Sequence, residues 1–229
     1  MTAPVFSYPH NDEDCYLSFY KEDFSSVFVA TNPFLKIEGF SPNITSDWIP
    51  DEVSAIAKTR DNGIGVSWQE IAKLCGFSSI AQVNRALRRT GSARLLDELA
   101  CPADTQKMLE ACRRHNIFVP DEGFLSPLSE LALAKFLEAL GQDNVVVAQQ
   151  FGTAPEALKS QEFLQPKLLS MPEIHTSDRS LFVSMYIDCH YFLICQSGVS
   201  RLTANPNEYF EGFFADEVTT DFWGIGSID

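Results

Sequence analysis

Positive charge is what this chain is shortest of: 17 Lys and Arg stand against 31 Asp and Glu in 229 residues, a formal net charge of −14. That balance works against attraction to nucleic-acid phosphate or anionic lipid and favours encounter with a basic protein. No apolar run approaches the roughly 18 residues that a membrane span requires. The first residues, MTAPVFSYPHNDED, lack the charged-then-apolar order of a signal peptide, so a cytoplasmic setting is expected. No Cys-x-x-Cys pair occurs, and Cys15, Cys75, Cys101, Cys112, Cys189 and Cys195 are scattered, which argues against a disulfide scaffold or a zinc ribbon. Gly63-Ile64-Gly65 has no downstream Gly-Lys-Ser/Thr, and neither a Gly-x-Ser-x-Gly elbow nor a His-Glu-x-x-His pair is present. No cofactor and no bound metal are expected from these patterns.

What is there is unevenly laid out. Residues 58–115 hold 10 of the 17 basic residues, while every stretch around them is acidic. With 45% hydrophobic residues the chain can bury a substantial core, as one large domain or two small ones.

The local patterns predict an α+β fold, with a mainly helical N-terminal region and a smaller C-terminal antiparallel hairpin or sheet plus a helix. Residues 1–45 read as an extended segment, with Val27 to Phe40 punctuated by Asn32-Pro33 and Gly39. Residues 46–141 read as helical. Pro50, Asp51 and Glu52 suit a first helical turn, and Ser67 with Glu70 has capping-box spacing for a helix closed by Gly76. Ser78 suits the cap of a second helix running to about Thr90, Asp104 the cap of a third ending in Arg113, Arg114 and His115, and Ser126-Pro127 the start of a fourth through Leu140. Residues 142–229 form the expected C-terminal α/β region. Val145 to Ala148 reads as a buried strand, 165–178 as a linker, and 181–195 as a hairpin turning at Asp188-Cys189-His190; Asn205-Pro206 opens a short helix. The three regions are compatible with a single compact domain.

Within the helix-turn-helix-like unit at 67–90, residues 71–89 resemble the helix-turn-helix of AraC-type transcription activators. The likeness rests on Ile71-Ala72, Gly76-Phe77, Ser79, Val83 and Arg85-Ala86-Leu87-Arg88-Arg89. It implies groove reading by Asn84, Arg85, Arg88 and Arg89. The second unit of that family is absent, and Thr90-Gly91-Ser92-Ala93 replaces its Gly-x-x-Pro closure. A longer resemblance, carried by SWQEI through ALRRTGS and by EGFFADEVTT, is to a bacterial family known only as a domain of unknown function. It implies no activity, cofactor or catalytic residue, and makes the helix-turn-helix pattern one part of a larger fold.

Two places carry candidate chemistry. Asp188, Cys189, His190 and Cys195 gather ligand-type side chains at the hairpin, which would serve a metal site or a Cys/His enzyme only if they converge in space. The C-terminus interleaves aromatics with acids, and Tyr209, Glu211, Phe214, Asp216, Glu217, Asp221 and Trp223 are the expected contacts to a basic protein. The leading expectation is a non-enzymatic, acidic, cytoplasmic protein-binding factor of the immunity or inhibitor type. A DNA-binding regulator and an enzyme at the hairpin are the alternatives.

Overall fold

The structure, a computed structural model, describes residues 7–9, 14–42, 53–91, 100–150, 154–165 and 167–223. Its organising element is strand β8 (Tyr191–Gln196), buried along its whole length. β8 pairs antiparallel with β7 (Leu181–Ser184) on one side and with β1 (Ser26–Thr31) on the other, Phe182 and Val27 both facing Cys195. Beyond β7 come β6 (Pro172–Thr176), β4 (Asn144–Gln149) and β5 (Glu156–Lys159); beyond β1 comes β9 (Gly212–Phe214). Every pairing in this seven-stranded sheet is antiparallel. β2 (Phe34–Lys36) and β3 (Ile64–Val66) make a separate ribbon.

Both faces of the sheet are covered by helices. Val27, Val29, Phe182, Leu193 and Cys195 pack with α1 (Tyr16–Tyr20), α3 (Trp68–Cys75), α4 (Ile80–Leu87) and α5 (Pro102–Arg114). On the opposite face, Phe28, Ala30, Val183, Phe192 and Ile194 pack under α6 (Pro127–Ala139). Alternate residues of β1 and β8 thus enter two different apolar layers, so neither strand shows the hydrophobic-polar alternation of a half-exposed strand. α2 (Val53–Asn62) joins α6 through the buried Arg60–Glu130 pair (3.2 Å). The Glu130 carboxylate also accepts from the backbone N–H groups of Lys167 (2.9 Å) and Leu169 (3.1 Å), tying that loop to the helix. α7 (Gly198–Thr203) follows β8, and β9 lies so close to β1 that a Cβ on Gly212 would sit 2.0 Å from the Val29 carbonyl oxygen, which only glycine avoids.

The expected division into a helical N-terminal region and a smaller C-terminal sheet is overturned. The sheet dominates the fold, and the segment read as an extended N-terminal arm supplies β1, inserted between the C-terminal strands β8 and β9. The stretch read as a linker contains β6, bonded on both sides to β4 and β7. For β1 the cause is burial: a strand apolar on both faces carries no period-2 alternation, whereas exposed helix caps announce themselves. The helix readings hold better. Ser67 and Glu70 form the capping box of α3, Gly76 closes that helix at φ +60, and Ser126 caps α6. Ser79 rather than Ser78 is the N-cap of α4, which ends at Leu87, and Asp104 lies inside the first turn of α5, whose N-cap is Cys101. Pro206–Glu208 is a single 3-10 turn. The start expected at Pro50 lies outside the described residues.

Candidate functional site

The densest gathering of chemistry in the described residues surrounds Asp221, which the chain brings under α4 after β9. One carboxylate oxygen, Oδ1, is ringed by the hydroxyls of Tyr8 (2.9 Å), Tyr191 (2.9 Å) and Tyr16 (3.2 Å), with the Cys189 thiol at 3.4 Å. The hydroxyls also bond one another, Tyr8 to Tyr16 at 2.6 Å and Tyr16 to Tyr191 at 2.8 Å. Arg88, the C-cap of α4, donates to Oδ2 (3.1 Å), to the Asp221 carbonyl (2.7 Å) and to the Tyr191 hydroxyl (3.0 Å). All six side chains are buried.

Burial pushes the Asp221 carboxyl upward, but the adjacent Arg88 charge and the Arg88 and tyrosine donors outweigh it and hold the group below its ordinary value. Burial, followed by the Asp221 charge, raises Tyr8 and Tyr191 well above the usual phenol range, and burial and Tyr191 do the same for Tyr16. The Cys189 thiol is pushed up by burial and by Asp221. At neutral pH the cluster is therefore one carboxylate and one guanidinium held by protonated donors. Its two charges cancel in a buried pair, and it offers neither a thiolate nucleophile nor a titrating base.

The hairpin residues do not converge. Cys189 points at Asp221, whereas His190 is fully buried with Nδ1 bonded to the Pro120 carbonyl at 3.0 Å. Cys195 belongs to the core layer beneath α1 and α3–α5. Among the described residues, no group of three or more His, Cys, Asp or Glu could hold a metal ion, and the six cysteines form no disulfide. A surface cleft of about 550 Å³ lies between α6, β4 and the 3-10 turn Ser160–Leu164, lined by Lys135, Glu138, Asn144 and Lys159, far along the chain from the cluster.

The side chains expected to read a DNA groove do not share an exposed face. α3, the Gly76 turn and α4 are present, but Asn84 is buried with Nδ2 donating to the Trp223 carbonyl (3.2 Å), and Arg88 is buried on Asp221. Arg85 pairs with Asp104 at 2.8 Å. Arg89 lines a small cleft with Thr105, Gln106 and Arg113.

The C-terminal candidates do not form one surface. Trp223 is buried, stacked on Trp68 with ring centroids 6.0 Å apart, and Asp221 belongs to the cluster. Tyr209 packs on Phe136, and Phe214 lies against Phe28 with the Arg201 guanidinium 4.0 Å over its ring. Glu211 accepts from the N–H groups of Trp68 (2.7 Å) and Gln69 (3.0 Å), so with Ser67 accepting from Glu70 (3.1 Å) the first turn of α3 has no orphan donor. We expect Glu211→Ala to cost about 1–2 kcal/mol in urea unfolding, the loss of two charge-assisted bonds at a helix N-terminus; a change within experimental error would show that water replaces the carboxylate at no cost. Only Asp216 and Glu217 of the seven candidates stand exposed.

Sequence reasoning missed the three tyrosines, whose partners lie up to 213 residues away. It also missed Val199, Leu202 and Val218, aliphatic side chains left in solvent. A signal for two of these was present: Val199 and Leu202 have helical spacing three apart after Ser197, with no further apolar residue to extend an inward stripe.

A family model described as "Protein of unknown function (DUF2711)" matches residues 12–225. The chain belongs to that family. No curated protein and no solved structure gives a significant match. No helix among the described residues is long and apolar enough to cross a membrane.

Proposed function

We propose that this protein is a non-enzymatic binding factor that engages a basic protein partner, in the manner of an immunity protein or inhibitor. The observation that carries this reading is the net charge of −14, combined with an interior whose reactive side chains are turned onto one another. Acidic groups at the surface steer a basic partner and raise its rate of encounter. A cytoplasmic setting suits six cysteines outside any disulfide. The groove-reading alternative gains no support, because Asn84 and Arg88 point into the fold and Arg85 is bound to Asp104.

The test is to isolate the protein from its source cells at low ionic strength, purify any stoichiometric companion and titrate the two together. The expected result is a companion of positive net charge whose affinity falls roughly tenfold or more on moving from about 50 to about 300 mM salt, as screening of surface charges requires. A companion with no salt dependence, or turnover of a small molecule by the purified chain, would refute the proposal.

A further inference from the structure

β3 is the outer strand of the separate ribbon. Leu35 N–H donates to the Phe118 carbonyl (3.1 Å), and the Leu35 carbonyl accepts from Phe118 N–H (2.8 Å), so both polar groups of Leu35 point away from β3. In an antiparallel ladder, pairs that exchange hydrogen bonds alternate with pairs that do not. Gly65 stands opposite Leu35, so this is a pair without bonds, and the Gly65 N–H and C=O point outward from the free side of β3. Ile64, at 63%, and Gly65 are both exposed, and among the described residues no strand pairs on that side. A glycine in the middle of a strand often marks a place where another backbone comes close.

The ribbon presents different chemistry on its two faces at this edge. Ile64 and Val66 share a face with their partners Lys36 and Phe34. On that face lies a cleft of about 500 Å³, with Ile64, Leu74 of α3 and Ile117 as apolar lining and Lys36, Lys73 and His115 as its basic groups. Glu70 is the one acid among the described lining residues, and its carboxylate already accepts from the Ser67 N–H (2.9 Å) and hydroxyl (2.9 Å). Neither lysine forms an ion pair among the described residues. The other face is marked by Gly65, where a Cβ would lie 3.4 Å from Pro33 and 3.6 Å from Leu128. Those two residues, with Ala132 and Phe210, line a smaller cleft of about 230 Å³, and Gly65 borders both clefts.

We propose that the free edge of β3 is a docking site for an extended acidic segment of a partner protein, which adds to the ribbon as an antiparallel strand. The incoming residue opposite Gly65 exchanges two backbone hydrogen bonds with it, and its side chain, on the Gly65 face, enters the smaller cleft. Its two chain neighbours point to the other face, where their carboxylates meet Lys36, Lys73 and His115. The outward backbone groups call for an extended chain, and the sign of the larger cleft calls for acids. The net charge of −14 does not forbid this, because at about 0.15 M salt charges more than about 8 Å apart are screened and the contacting lysines decide. This site is of opposite sign to the surface that engages a basic partner, and neither depends on the other.

The test uses the full chain, labelled with nitrogen-15, at about 0.15 M salt, and the end-blocked peptide Val-Glu-Val-Glu-Val, whose central valine suits the smaller cleft and whose glutamates suit the larger. Saturable binding is expected, with the amide shifts concentrated at Ile64, Gly65 and Lys36. Replacing both glutamates of the peptide by lysine is expected to abolish binding. N-methylation of the central valine removes its donor to the Gly65 carbonyl and is expected to weaken binding by about tenfold. Neither of these two peptides requires a variant of the protein. The Lys36→Gln/Lys73→Gln variant is expected to lose about tenfold or more, with an unchanged melting temperature verifying that it folds. No saturable binding up to about 1 mM peptide overturns the site. Equal affinity for the lysine peptide overturns the charge argument, and equal affinity for the N-methylated peptide overturns strand addition in favour of a simple anion contact. Shifts gathered away from β3 likewise overturn the placement, while the salt-sensitive basic companion is tested separately by its own isolation.

Discussion

Asp221→Ala is expected to lower the unfolding free energy by about 3–5 kcal/mol, the cost of leaving one member of a buried ion pair without its partner. The substitution strands Arg88, whose guanidinium is fully buried, and removes the acceptor shared by Tyr8, Tyr16 and Tyr191. It also frees the last described segment of the chain, because Asp221 supplies both its side chain and its carbonyl to Arg88. Asp221→Asn keeps the shape and much of the hydrogen bonding but removes the charge, so it separates the electrostatic part of the effect. Urea unfolding of Asp221→Asn, Arg88→Met and the double variant gives the coupling. We expect the double variant to be more stable than the sum of the single losses implies. Additive losses would mean that Arg88 is compensated by something other than Asp221. The pH dependence has a fixed sign: with the carboxyl held below its unfolded value, its stabilisation is complete above the ordinary carboxylate range near pH ~3.9 and is lost as the pH falls through the folded value.

His190 is expected to make the fold sensitive to acid at milder pH. Burial, aided by the nearby Arg88 charge, pushes its imidazole down to about 4 from an ordinary value of 6.5, against a smaller upward pull from the Pro120 carbonyl. A depressed folded value means that the neutral ring is accommodated and the charged ring is not. Stability is therefore full above pH 6.5 and declines as the pH falls from 6.5 toward 4. The loss across that interval comes to about 3 kcal/mol, because tenfold in a proton-binding constant corresponds to about 1.4 kcal/mol. Unfolding followed across this window in the wild type and in His190→Gln is the measurement. The variant should be less stable at neutral pH yet show a flatter profile, since it has no proton to take up there. An equal slope in both would place the acid sensitivity on other groups.

The parts of this architecture legible in the residues were those whose chemistry is local. A serine three residues before a glutamate marks the start of α3, a glycine in the left-handed region marks its end, and two β-rich runs around a polar turn mark the hairpin of β7 and β8. The rest of the sheet was not legible, because β1 is apolar on both sides and pairs with strands from distant parts of the chain, while β6 lies in a stretch that reads as a linker. The Asp221 cluster failed to declare itself for a related reason: its members are spread from Tyr8 to Asp221 and meet only through the fold. One local sign existed. Arg88 follows Asn84 by four residues and adjoins the buried stripe of Val83 and Leu87, a position from which an arginine faces inward as readily as toward a groove. At the C-terminus the acids divide: Asp216 and Glu217 are exposed, whereas Asp221 is buried on Arg88 and Glu211 accepts at the start of α3, and neither of these placements could be read from the local sequence.

The position of β1 also governs how the molecule is made. Its strand neighbours, β8 and β9, are encoded about 160 to 185 residues downstream. At about 5–20 residues per second, a ribosome leaves the Ser-Val-Phe-Val-Ala-Thr segment without its mates for on the order of ten to thirty seconds. That stretch is uncharged, proline-free and rich in β-forming side chains, the composition that associates with other chains when uncovered. Translation must therefore pass β9 before β1 can be paired on both sides, and until then the segment stands uncovered.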